Sequence, residues 1–198
     1  MRPHLFLPVF ILFYVFVSGV LSAQVWTSVK TVGPFVCWGE FDLAEVERPL
    51  AGFTEVHRQM AEKLKLPAVK EQVEVYLFKN DTSLRDFLRK NYPKVPYRRA
   101  LAMKKKGQRN HLFLCRSEKL AEDIRHEAVH ALLDASITGV PEWLHEGLAE
   151  YFEVEPEDRL TGAEWFEQTQ TNAKLGVSRQ LTSLERITSS MSMTKYQR

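Results

Sequence analysis

Two segments with one shared periodicity constrain this chain more than anything else in it. The first is His126-Glu127-Ala-Val-His130; the second, Trp143-Leu-His-Glu146-Gly-Leu-Ala-Glu-Tyr151, leaves 15 residues between His130 and Glu146. On an α-helix four residues make a little over one turn, so His126 and His130 stand one above the other. Both imidazoles then reach one cation at about 2.0–2.1 Å, and Glu127 is carried round to the mouth of the same site. The surrounding residues favour a helix independently. Leu120, Ile124, Ala128, Ala131, Leu132 and Ala135 fall on one side, Asp123, His126, Glu127, His130 and Asp134 on the other, and Ser117 suits the cap.

The second segment supplies a third ligand. Pro141 suits a helix start and Glu142 its first turn, and Ile137-Thr-Gly-Val140 is long enough to reverse the chain and lay this helix beside the first. Two histidines and one carboxylate, with a fourth position left to water, is the donor set of a catalytic zinc rather than a closed structural one. Glu150, four residues after Glu146, is the expected outer carboxylate holding a ligand histidine by its other N–H, with Glu153 as the rival one turn on. His145 competes with Glu146 as third ligand but points about 100° away around the helix.

This pairing resembles the gluzincin metallopeptidases of the peptidase MA clan. Their signature is a His-Glu-x-x-His helix followed by a Glu in a Trp-Leu-x-Glu-Gly-x-Ala-x-Tyr helix, and the match spans roughly residues 115–153. The resemblance implies that His126, His130 and Glu146 bind Zn2+ and that Glu127 is the general base of peptide-bond hydrolysis. It further implies an α+β, zincin-like fold: a small mixed sheet whose edge strand packs on the active-site helix, then a helical C-terminal part. The substrate-pairing edge would be Leu112, Phe113 and Leu114 running to Cys115, or else Ala100–Met103. The gap to the third ligand is shorter than in the aminopeptidases, and their Gly-x-Met-Glu-Asn amine-binding motif is lacking. Related enzymes add a lobe bearing an oxyanion-stabilising Tyr or His; beyond Tyr151 the sequence has only Tyr196, to which no role is given. The gluzincin reading therefore has an alternative, a zinc-containing pseudo-peptidase acting as a secreted binding protein. A purely structural surface protein is the third possibility.

The chain begins with a short basic start, an apolar run from Leu5 to Val17 and the small residues Ser18-Gly-Val-Leu-Ser-Ala23, the pattern of a secretory signal over 1–23. An uncleaved membrane anchor is the alternative, since the run is long enough to span a bilayer. A secreted or extracytoplasmic protein is expected. Residues 24–198 then form one zincin-like unit: an α/β part over 24–116, metal-binding helices over 117–153, and a helical or partly disordered tail over 154–198. Short helices are expected at Thr161–Gln170 and Leu181–Ile187. A net charge of +2 gives no strong attraction to nucleic acid or to lipid, and the gluzincin resemblance implies a peptide or protein substrate as the partner.

Within the first half, Phe35–Trp38 and Val73–Phe78 read as strands, Leu43–Leu66 as a helix with Pro49 near its start, and Leu84–Lys90 as a short helix capped from Asn80-Asp81-Thr82. Ala100–Met103 and His111–Cys115 flank Lys104-Lys-Lys-Gly-Gln-Arg-Asn110 as a hairpin with a basic, solvated tip. Cys37 and Cys115 each lie in an apolar run. An oxidising compartment would let them pair, and a buried strand would keep them as thiols.

Overall fold

A computed structural model describes residues 25–69, 71–104, 109–157 and 159. The elements in order are β1 (Ser28–Val32), β2 (Phe35–Gly39), a 3-10 turn (Leu43–Val46), α1 (Glu47–Leu64), β3 (Val73–Phe78), α2 (Asp81–Asn91), β4 (Ala100–Lys104), β5 (Asn110–Cys115), α3 (Leu120–Ser136) and α4 (Glu142–Glu153). The strands form one sheet in the order β1-β2-β3-β5-β4. Its centre, β2, β3 and β5, is parallel, and β1 and β4 are antiparallel edges. The fold is the α+β class that the pattern predicts, with a mixed sheet and four helices.

Strand alternation builds two layers. Phe35, Cys37, Val73, Val75, Leu77, Leu112 and Leu114 face α1 and α3 in the main core. Phe78, Phe113 and Cys115 face α2 in a smaller, aromatic cluster. Successive side chains point to opposite faces, so a strand buried on both sides carries both sets. That alternation also decides the cysteines. Cys37 and Cys115 lie on opposite faces of the sheet with β3 between their strands, and both are free, buried thiols. Burial pushes Cys37 up to about 12, so it is protonated at any ordinary pH.

Four expectations need correction. β1 was not anticipated: it is an edge with only half-buried alternate residues, so no apolar run betrays it. Its one signal is Gly33-Pro34, a two-residue turn with Gly33 at φ +57°, which L side chains rarely adopt. The single helix expected over Leu43–Leu66 is a 3-10 turn capped by Asp42 followed by α1, separated where Val46 leaves helical geometry. Pro49 is tolerated as the third residue of α1, where its missing N–H would have no partner within the helix. Ser117 offers its backbone carbonyl rather than its hydroxyl to Leu120, and α3 starts without a side-chain cap.

The fourth correction concerns the strand expected to pair with substrate. Leu112, Phe113 and Leu114 lie in β5, which is hydrogen-bonded to β3 on one side and β4 on the other. A strand paired on both sides has no backbone groups left for an added chain. The edge is β4, the other segment considered. The expected signal over 1–23, residues 105–108, and the helices expected at 161–170 and 181–187 lie outside the described residues. Among the described residues no helix is long and apolar enough to cross a membrane.

Candidate metal centre

α3 lies across the sheet with an apolar face of Leu120, Ile124, Ala128, Ala131 and Leu132 in the main core. This burial turns the opposite stripe, His126 and His130, toward α4. After Ser136 the chain leaves helical geometry, turns through Gly139 at φ +78°, and re-enters a helix past Pro141, whose carbonyl accepts from Leu144 and His145. α4 then packs on α3 with Ala149 and Phe152 in the core. Gly147, between Glu146 and the core residues, has open space where a side chain would begin.

The result is convergence of all three expected ligands. The Nε2 atoms of His126 and His130 are 3.2 Å apart. The Glu146 oxygens lie 3.8 Å from His126 Nε2 and 3.9 Å from His130 Nε2. Among the described residues these three form the group able to hold a metal ion, with donor atoms all within 4.8 Å of one another. Donors around a tetrahedral zinc at about 2.0–2.1 Å stand roughly 3.3 Å apart. The two nitrogens already have about that spacing, and the Glu146 oxygens stand slightly farther out. The residues fit a divalent ion.

The outer contacts differ from the expectation. His126 Nδ1 meets Glu153 Oε2 at 2.7 Å. Glu153, the rival, fills the role given to Glu150: the crossing of α4 over α3 brings the last turn, not the middle one, against His126. His130 Nδ1 meets His145 Nδ1 at 2.8 Å, and His145 Nε2 is 3.3 Å from Asp134 Oδ1. His145 is therefore behind a ligand rather than a ligand itself. Nothing in the spacing announces this, because it depends on how the two helices cross.

Glu127 is buried, lines the cleft with His130 and Glu146, and reaches β4, where the backbone N–H of Ala102 favours its charged form. Burial drives its pKa up to about 7; the charges of Glu146 and Asp123 add to the rise, and His126 and the Ala102 N–H oppose it. Burial also disfavours charge on both rings. On His130 it acts together with the charges of His126, His145 and Arg98, and the pKa falls to about 3. On His126 the hydrogen bond to Glu153 and the charges of Glu127, Glu153 and Glu146 outweigh burial, and the pKa rises.

The site opens into a cleft of about 540 Å³. Glu127, His130 and Glu146 form one wall, Leu101 and Ala102 of β4 another, and Ile137–Val140 the end. Three further contacts clamp the hairpin to α3. Arg99 pairs through two nitrogens with Asp123 at 2.7 and 2.6 Å, Lys104 Nζ donates to the Asp134 carbonyl, and Asn110 Nδ2 to the Ala131 carbonyl at 2.8 Å. Arg99, Ala102 and Lys104 thus meet α3 in the same order as Asp123, Glu127 and Asp134, so edge strand and metal helix run side by side. Chemically the site offers two nitrogen donors, one oxygen donor and a separate proton-accepting carboxylate, and His130, Glu146 and Glu127 of these line the open cleft.

No curated protein matches the chain. Residues 120–197 match a family model described as a protein of unknown function, DUF1570, and the match begins at the first residue of α3 and includes His126, Glu127, His130, His145, Glu146 and Glu153.

Proposed function

We propose that this chain is an exported zinc metallopeptidase of the gluzincin type. The observation that carries the reading is the approach of His126 Nε2, His130 Nε2 and the Glu146 carboxylate to one point beside buried Glu127. The donor set of two imidazoles and a carboxylate suits zinc and leaves a position open for reaction. An ion held there supplies Lewis acidity, making a water more acidic and polarising the carbonyl of a scissile amide.

The remaining work belongs to the chain. Glu127 takes the proton of the attacking water and delivers it to the leaving amine. Its burial suits the task, because a carboxyl near neutrality both accepts and releases a proton at physiological pH. β4 supplies the edge to which an extended peptide or protein substrate adds as a further strand, since no described strand pairs with its outer side. The apolar run and small residues of the first 23 positions carry the chain out of the cytoplasm.

The test is metal content and peptide cleavage measured together. Wild type binds one zinc per chain, Glu146→Ala loses it, and Glu127→Gln keeps it while hydrolysis falls by about 10²–10⁴-fold. Full cleavage by Glu127→Gln removes the proton-transfer role. Stoichiometric zinc without cleavage of a broad peptide library leaves a binding protein instead.

A further inference from the structure

The two ligand histidines are held by unlike partners, and the second arrangement has a consequence for proton placement. His130 and His145 approach edge to edge. Their planes differ by 12° and their centroids are 5.0 Å apart, close to the 2.8 Å Nδ1···Nδ1 distance plus the two ring radii. That is the geometry of an N–H···N hydrogen bond rather than of one ring lying over another. Such a contact holds one proton. The Asp134 carboxylate, an acceptor only, stands 3.3 Å from His145 Nε2 and favours the proton there. Neutral His145 then has a bare Nδ1, so the proton of the shared contact belongs to His130 Nδ1. His130 Nε2 is left as a lone pair facing the cluster. For His126 the carboxylate of Glu153 fixes the same result directly.

We propose that His145, backed by Asp134, is a positioning residue that sets the tautomer and plane of His130 so that Nε2 is presented as a donor. This rests on the metal-site reading above. His145 cannot itself share the ion: it touches the Nδ1 edge of His130, and the cluster forms at the Nε2 edge. Asp134 lies on α3 and His145 on α4, so the relay runs from the ligand helix to its neighbour and back.

The experiment uses the full chain and zinc itself. Affinity is measured by competition with a chelator, the His130 tautomer by ring-nitrogen NMR, and folding of the metal-free protein by urea titration. His145→Phe keeps a ring of similar shape and removes both nitrogens. Its zinc affinity falls about 10–100-fold with the metal-free unfolding midpoint unchanged, and the Nδ1–H tautomer of His130 is no longer dominant. Asp134→Ala loses less. The double variant loses no more than His145→Phe alone, because the two act in series. His145→Asn, whose amide oxygen accepts from His130 Nδ1, recovers affinity. Unchanged zinc affinity and tautomer in His145→Phe, or additive losses in the double variant, overturn the proposal. Should His145→Phe not fold, Asp134→Ala and His145→Asn carry the same comparison. Wild type that binds no zinc overturns the metal-site reading and this proposal with it; wild type that binds zinc beside an unaltered His145→Phe overturns only the positioning role.

Discussion

The sheet has two edges of equal length, and they have been put to different uses. β1 and β4 are both five-residue antiparallel strands, each joined by a hairpin to its neighbour. β1 runs past the start of α1, meets it through an exposed Lys30–Glu47 pair, and meets the preceding 3-10 turn through a Ser28 hydroxyl that accepts from Leu43. Val29 on it is open to solvent. β4 instead lies along α3, bonded to it near both ends and through Ala102 in the middle. A bare edge is a liability that proteins blunt with charge and irregularity. A helix carrying His126, Glu127 and His130 alongside one edge turns that liability into one side of a cleft. The difference lies in what packs next to the strand, and the more apolar sequence of β4, Ala-Leu-Ala-Met-Lys against Ser-Val-Lys-Thr-Val, goes with it.

The largest test of this contrast is Ala102→Pro. The substituted N–H points to Glu127 rather than into the ladder, so the β4–β5 pairing survives, as proline is accepted on edge strands. Peptide hydrolysis should fall on the order of 10–100-fold, the scale of a lost catalytic support, with a thermal midpoint lower by only a few degrees. Undiminished hydrolysis would make β4 an ordinary edge like β1.

Next in size is the clamp. Arg99→Ala leaves Asp123, whose side chain is only 8 % exposed, without its cation, and should cost about 2 kcal/mol in urea unfolding. Lys30→Ala removes a pair that is open to water and should leave the midpoint where it was. Equal effects of the two substitutions would erase the distinction between the edges.

The smallest effect is a pH dependence of the metal-free chain. Burial raises the Glu127 pKa in the folded protein to about 7 from an ordinary 4.5, so the folded state holds that proton more tightly than the unfolded chain. Its contribution to stability is complete below about 4.5, is lost as pH rises toward 7, and is level above that. Urea midpoints of wild type and Glu127→Gln should therefore separate across that window, with wild type declining relative to the variant. Parallel curves would mean that Glu127 is not buried as described.

The same contrast shows what a linear reading can reach. Val73–Phe78 and α3 were legible because period-two and period-3.6 patterns are written within one element. β1 was not, because an edge strand buries too little to need an apolar run. The split of Leu43–Leu66 into a 3-10 turn and α1 hides behind Val46, whose identity carries no helix-breaking signal. The resemblance left Leu112–Leu114 and Ala100–Met103 both open as the substrate edge, and an apolar run reveals burial but not the number of strands beside it.

Helical spacing alone placed His126 and His130 on one face and Glu127 beside them, since positions within a single helix follow from a fixed rise and turn. It also brought Glu146, Glu150 and Glu153 to roughly one side of α4. Tertiary packing decided the rest: that Glu153 rather than Glu150 meets His126, that His145 stands behind His130, and that β4 is the edge beside Glu127. Each of these depends on a crossing angle or a strand order. Such quantities are set by how whole faces bury against one another, and they leave no periodic trace along the chain.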